Sequence, residues 1–266
     1  MFDSLFDTPL AIAGLCIIGS LCLFSVSGLA LVRRYILPHL RVHIEDSEFA
    51  GGILQSIMVF YGLAVALMAV SVSQTYSDVS KIISGEATNL ACLYRDVSGY
   101  PEPIRSRLRG ELRDYTDQVI HGAWPLMAKG KVPTAGVQYM TRFQEILIAF
   151  EPETEGQKLL HGETLRAYNQ FTQARRLRVD AVNTGLPGVM WVVVVAGALI
   201  GLSASFFFKV EDARLQGIHT LLLAIFIGLV IFMIFALDRP FRGDLAVGPG
   251  PYQLIYDQLM KSDQRE

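Results

Sequence analysis

Four stretches of the chain contain no Asp, Glu, Lys or Arg: residues 9–32, 49–77, 181–208 and 217–237, which are 24, 29, 28 and 21 residues long. A helix needs roughly 20 apolar residues to cross the hydrocarbon core, so each stretch is long enough to span it. The polar middle, residues 78–180, instead carries 14 basic and 13 acidic side chains. Its apolar residues recur at helical spacing. Ile82, Ile83, Ala87, Leu90, Leu93, Tyr94 and Val97 mark one helix, and Ile104, Leu108, Leu112, Tyr115, Val119 and Ile120 mark a second. A third helix is predicted over 135–150. A fourth starts after Pro152 and Thr154 and passes through Leu159, Leu165, Tyr168, Phe171 and Leu177. Strand-like alternation is absent. The pattern predicts an all-α integral membrane protein with four transmembrane helices arranged two plus two and a helical extramembrane bundle between spans two and three.

The predicted organisation is 1–77 for the first two spans, 78–180 for the bundle, 181–237 for the last two spans and 238–266 for a tail. The amphipathic stretch from Tyr252 to Met260 would dock that tail on the bundle. Breakers refine the picture. Pro101 and Pro103 separate the first two polar helices, and Trp124-Pro125 is expected to end the second. No Pro or Gly falls between Leu63 and Ser84, so span two can run straight into the first polar helix. A break is expected at Gly185-Leu186-Pro187.

Composition agrees with this reading. The 266 residues are 52% apolar and 18% charged, with a mean hydropathy of +0.37, against about 25% charged in a soluble domain. That excludes a secreted protein, a cytosolic enzyme and a free nucleic-acid binder. The net charge of −2 supplies no polycation for nucleic acid. Cys16, Cys22 and Cys92 form no disulfide framework. The flank before the first run has no Lys or Arg, so that run reads as a retained span and not a signal peptide. Near the span ends, Arg33, Arg34, Arg41, Lys209 and Arg214 lie on one side. Lys81, Arg166, Arg175, Arg176, Arg178, Arg239 and Arg242 lie on the other. The count leans toward a cytoplasmic bundle, although the arginines of the first loop taken alone point the other way.

Motifs of enzyme chemistry are missing: there is no phosphate-binding Gly-rich loop, no His-Glu-x-x-His and no nucleophile elbow. His39 and His43 have the i, i+4 spacing of a metal pair, but they follow Pro38 beside Arg41 and read as interfacial polar residues. His219, the one ionisable group in span four, can snorkel from its position near the span's start. Neither catalysis nor a cofactor nor a resident metal is expected.

The second span is more informative. At 100° per residue, Gln55, Val59, Gly62, Ala66, Ala69 and Ser73 share one face, and Met58, Tyr61, Val65, Met68 and Val72 share another. Small residues in membrane helices allow close backbone approach. In symmetry-related copies the same stripe would surround a pore with an apolar neck that gates by dewetting. Glu45, Asp46 and Glu48 precede it. These acids suit a helix start, with Asp46 or Ser47 as cap; in an oligomer they would form a carboxylate ring at the pore mouth.

Several motifs resemble a known family. They are Arg33-Arg34, Glu86-Ala-x-x-Leu-x-x-Leu-Tyr94-Arg95, Trp124-Pro125-x-Met127 and Ala174-Arg-Arg-Leu-Arg178, together with Leu186-Pro187 and Leu237-Asp238-Arg239-Pro240-Phe-x-Gly-Asp244. With them the chain resembles, over nearly its whole length, the bacterial bestrophin-like domain family. Members typically have an acid before the tryptophan, where this chain has His121-Gly122-Ala123. The resemblance implies kinship with bestrophins, pentameric channels whose second spans line an apolar neck that anions cross. Phe60 lies off the small stripe, so aromatic rings around a neck are not evident, and the acids before span two disfavour simple anion attraction. The expectation is therefore an oligomeric ion channel of the bacterial inner membrane, its partners inorganic ions, the bilayer and copies of itself. Its selectivity stays open between anion and cation. The alternative is a membrane-anchored sensor or scaffold binding a partner through its bundle.

Overall fold

With neither Pro nor Gly to interrupt it from Leu63 to Ser84, the second apolar run continues into polar sequence as one helix, α2 (Ile44–Asp96, 53 residues). The computed structural model describes residues 6, 8–39, 44–207 and 212–261, the side chains of 44–50 and 53 excepted. The described residues are helical with no strand. Four helical stretches among them are long and apolar enough to cross a membrane, which makes this a membrane protein. The other elements are α1 (Leu10–Leu31), α3 (Ile104–Gln118), α4 (Trp124–Met127), α5 (Gly136–Ile148), α6 (Glu155–Asp180), α7 (Gly188–Ser205), α8 (Ala213–Asp238) and α9 (Gly250–Ile255). The chain separates into two compact units, Met1–Gln74 with Gly185–Arg239, and Thr75–Thr184 with Pro240–Glu266.

The first unit holds the apolar runs. Here α1 packs along α8, and α7 packs against both. Small residues set these approaches: a Cβ on Gly197 would overlap the Tyr61 ring, and one on Gly28 would overlap Phe206. Two polar side chains inside the unit show the pairing that hydrocarbon favours. Ser25 donates to the Thr220 carbonyl at 3.2 Å, and Arg33 donates to Gln216 at 3.0 Å.

The second unit is built around a conventional core. Ile83, Leu90 and Leu93 of α2 meet Leu108, Leu112 and Tyr115 of α3, Phe143 and Leu147 of α5, and Phe171 of α6. Fully burying each such side chain stabilises by about 1.5–3 kcal/mol. Thr154 caps α6 by accepting from the Gln157 amide at 3.2 Å, while the Gln157 side chain accepts from the Thr154 amide, a capping box. Tyr252 of α9 and Met260 beyond it lie buried in this core.

Three expectations need correction. Trp124-Pro125 does not end the second polar helix. A π turn over Val119–Ala123 precedes it and the helix resumes as α4; the wider turn accommodates the proline's missing N–H and its bulky ring. Leu159 and Leu177 do not face the core, being 77% and 49% exposed. Each lies nine residues from buried Tyr168, which at 3.6 residues per turn is the opposite side of the helix. Finally, α2 is already helical at Ile44, so Asp46 and Ser47 sit within its first turn and are not its cap.

Candidate functional site

The bulky face of α2 is the one its own chain covers. Val65 and Val72 are buried, and Met58, Tyr61 and Met68 are half-buried. The Tyr61 hydroxyl donates to the Val194 carbonyl of α7 at 2.8 Å, and Met58 lies against Gly201, where a Cβ would overlap its sulfur. Once that side is engaged, the small stripe is left open. Gln55, Val59, Gly62, Ala66 and Ser73 are exposed and Ala69 is half-buried. Gly62, Ala66 and Ala69 form one wall of an apolar cavity of about 480 Å³ whose other wall is α8, with Phe226, Ile227 and Val230. Glu45, Asp46 and Glu48 fall in the first turns of α2, and their side chains lie outside the described residues.

The motif residues gather at two places. In the second unit, Glu86 is fully buried and receives a fork from Arg178, Nε to Oε2 at 2.6 Å and Nη2 to Oε1 at 3.2 Å. Tyr115 donates to the same carboxylate at 2.9 Å. Arg178 also reaches the Met127 sulfur at 3.3 Å, and its guanidinium lies 5.8 Å from the Trp124 ring centre and 5.7 Å from that of Tyr252. Burial pushes the Tyr115 and Tyr252 phenols well above their ordinary value, and the Glu86 charge adds to it. Trp124 donates to the Val247 carbonyl at 3.0 Å. Tyr94 is buried beneath Arg109, while Arg95 and Pro125 are exposed.

At the end of α8, buried Asp238 accepts from the Leu186 amide at 2.6 Å and from the Trp191 indole at 3.3 Å, clasping the start of α7. Arg239 lies over Gly185, its Nε 3.9 Å from the Asp238 carboxylate. Beyond it, in the second unit, a turn runs from buried Pro240 to Val247, whose amide donates to the Pro240 carbonyl at 2.8 Å. Gly243 sits there at φ +79°, a backbone state that only glycine adopts cheaply. Asp244 is exposed on the same turn.

Among the described residues no three His, Cys, Asp or Glu side chains converge as a metal would require. His39 is hydrogen-bonded to the Tyr35 carbonyl at 2.9 Å, and His43 lies outside the described residues. The sequence motifs named Glu86 and Arg178 but did not pair them, and they did not point to Tyr115 or Tyr252. A signal was present. Glu86 falls on the buried stripe of Ile83, Leu90 and Leu93, where an acid requires an opposite charge, and Arg178 falls seven residues after Phe171, on the same face of α6.

No curated protein and no solved structure matches the chain. A family model, the bestrophin-like domain, matches residues 19–252, which take in both clusters, the whole of α2 and every motif named above. The chain belongs to the bestrophin-like family.

Proposed function

We propose that this protein is an oligomeric ion channel of the bacterial cytoplasmic membrane in which α2 lines the pore and the polar unit faces the cytoplasm. One observation carries the reading: α2 turns its bulky face to its own chain and leaves the small stripe from Gln55 to Ser73 open. Copies arranged around an axis would close that stripe into an apolar neck with polar ends, which conducts when wet and shuts when dry. Family kinship with bestrophins supports the same architecture. Conduction needs no catalytic step, and the reading assigns none.

Selectivity divides the two lines of support. Kinship favours anions. A ring of Glu45, Asp46 and Glu48 at the mouth would attract cations. The deciding experiment is the reversal potential of the purified protein in planar bilayers under a KCl gradient, with the oligomer mass measured on the same preparation. A shift toward the chloride potential favours the kinship, and one toward the potassium potential makes the acids a selectivity feature. Replacing Gly62 with Leu would block current in an intact oligomer. Unchanged current would remove α2 from the pore. A monomeric mass, or a folded oligomer that passes no current under any gradient, favours a membrane-anchored scaffold.

A further inference from the structure

The membrane unit has a second cavity, of about 380 Å³, and its chemistry is graded from one end to the other. Its long wall is a stripe of α7 made by Gly188, Val192, Val195, Ala196 and Leu199. From Gly188 to Leu199 the helix rises about 16 Å at 1.5 Å per residue. That is close to one leaflet, or half of a hydrocarbon core of about 30 Å. All the charge lies at one end, where α7 begins and α8 stops. There Asp238 is occupied by two N–H donors, the Leu186 amide and the Trp191 indole. Arg239 is differently placed. Its Nε makes no hydrogen bond, the Asp238 carboxylate is 3.9 Å away, and its guanidinium rests on Gly185 at the cavity's rim.

We propose that this cavity binds one phospholipid, with an acyl chain along the α7 stripe and the phosphate on Arg239, and that it prefers an anionic headgroup. A guanidinium matches a phosphate in shape and charge. Trp191 stands where indoles mark the headgroup level, and basic pockets between spans at that level take anionic lipids. Free phosphate would leave the apolar wall uncovered, and a second copy of the chain would have to bring its own anion to Arg239. The site is independent of ion conduction, and its test does not use current.

The test is native mass spectrometry of the full-length, delipidated protein in detergent, titrated with phosphatidylglycerol or phosphatidylcholine. Two variants separate the ends of the site. R239Q keeps most of the side-chain stem and removes the charge; A196F fills the apolar wall. The wild type binds phosphatidylglycerol in preference to phosphatidylcholine. R239Q weakens phosphatidylglycerol binding roughly tenfold, the worth of one charge-assisted hydrogen bond, and R239K restores part of it. A196F removes both lipids at unchanged oligomer mass. Binding of phosphatidylglycerol by R239Q and A196F at wild-type strength overturns the proposal. So does an A196F variant whose oligomer falls apart while lipid binding persists, because the cavity would then be a contact between copies. If A196F does not fold, the R239Q and R239K pair decides.

Discussion

The two units bury their residues by opposite rules. In the polar unit the hydrophobic effect sorts side chains, so Ile83, Leu90, Leu108 and Leu112 are fully buried and, among the described residues, no charged side chain but those of Glu86 and Arg178 is buried with them. In the membrane unit Leu15, Leu23, Phe60, Leu63 and Leu67 are largely exposed, because lipid solvates them as well as protein would. What holds that unit together is close approach over Gly28, Gly197 and Gly201, with a few polar clasps. The buried charges differ accordingly. Glu86 and Arg178 have four aromatic or sulfur-bearing neighbours inside a dry core. Asp238 is satisfied by an amide and an indole at a helix end.

The largest expected effect is in the polar unit. Removing one partner of the buried pair, as in Arg178→Met, leaves Glu86 buried without its partner and destabilises by about 3–5 kcal/mol. Adding Glu86→Leu to that variant recovers much of the loss. Thermal unfolding followed by circular dichroism reads both, and a single variant that melts like wild type would show the pair to be solvated.

Next comes a matched pair of leucines. Leu112→Ala costs about 2–5 kcal/mol. Leu67→Ala, at a residue 64% exposed, stays within about 0.5 kcal/mol in detergent. Chemical denaturation of the two variants sharpens the contrast between units. A large loss at Leu67 would break it, by placing that side chain in a contact between copies.

Glycines give a smaller effect with a change of sign. Gly197→Ala drives a methyl into the Tyr61 ring, which its hydrogen bond to Val194 holds in place, at a cost of about 1–3 kcal/mol. Gly162 of α6 has nothing within 4 Å of a new Cβ, so Gly162→Ala gains about 0.5–1 kcal/mol from helix propensity. Equal signs for the two in melting experiments would erase the distinction between tight membrane packing and an open helix surface.

The smallest effect shows itself only at alkaline pH. The raised phenols of Tyr115 and Tyr252 keep protons that the unfolded chain gives up near the ordinary value of 10.0. Their contribution is therefore complete below that pH and is lost as pH rises toward the folded values, at about 1.4 kcal/mol per unit for each phenol. Tyr115→Phe flattens this alkaline slope in melts measured as a function of pH. An unchanged slope would mean that the phenol is not buried when the protein is folded.

The same difference in rules governs how much could be read from the sequence. In the polar unit, water makes periodicity informative. The stripes through Ile83–Val97 and Leu108–Ile120 marked the buried faces, and Pro152 with Thr154 marked a helix start. Leu159 and Leu177 misled because apolar residues on an exposed face look, one at a time, like core. In the membrane unit the spans were legible by length, but their inward faces were not, since every side of α1 and α7 is apolar. Only the split of α2 into bulky and small stripes gave a direction. The Glu86–Arg178 pair joins residues 92 positions apart, a separation that no local pattern encodes.

The Asp238 clasp also sets an order of events during biogenesis. The carboxylate that holds the Leu186 amide is encoded 52 residues later. At about 5–20 residues per second, translation leaves that amide and the Trp191 indole without their acceptor for roughly 3–10 s. Through that interval α7 and α8 are still being synthesised. The start of α7 is therefore clasped only after the final turn of α8 has been made.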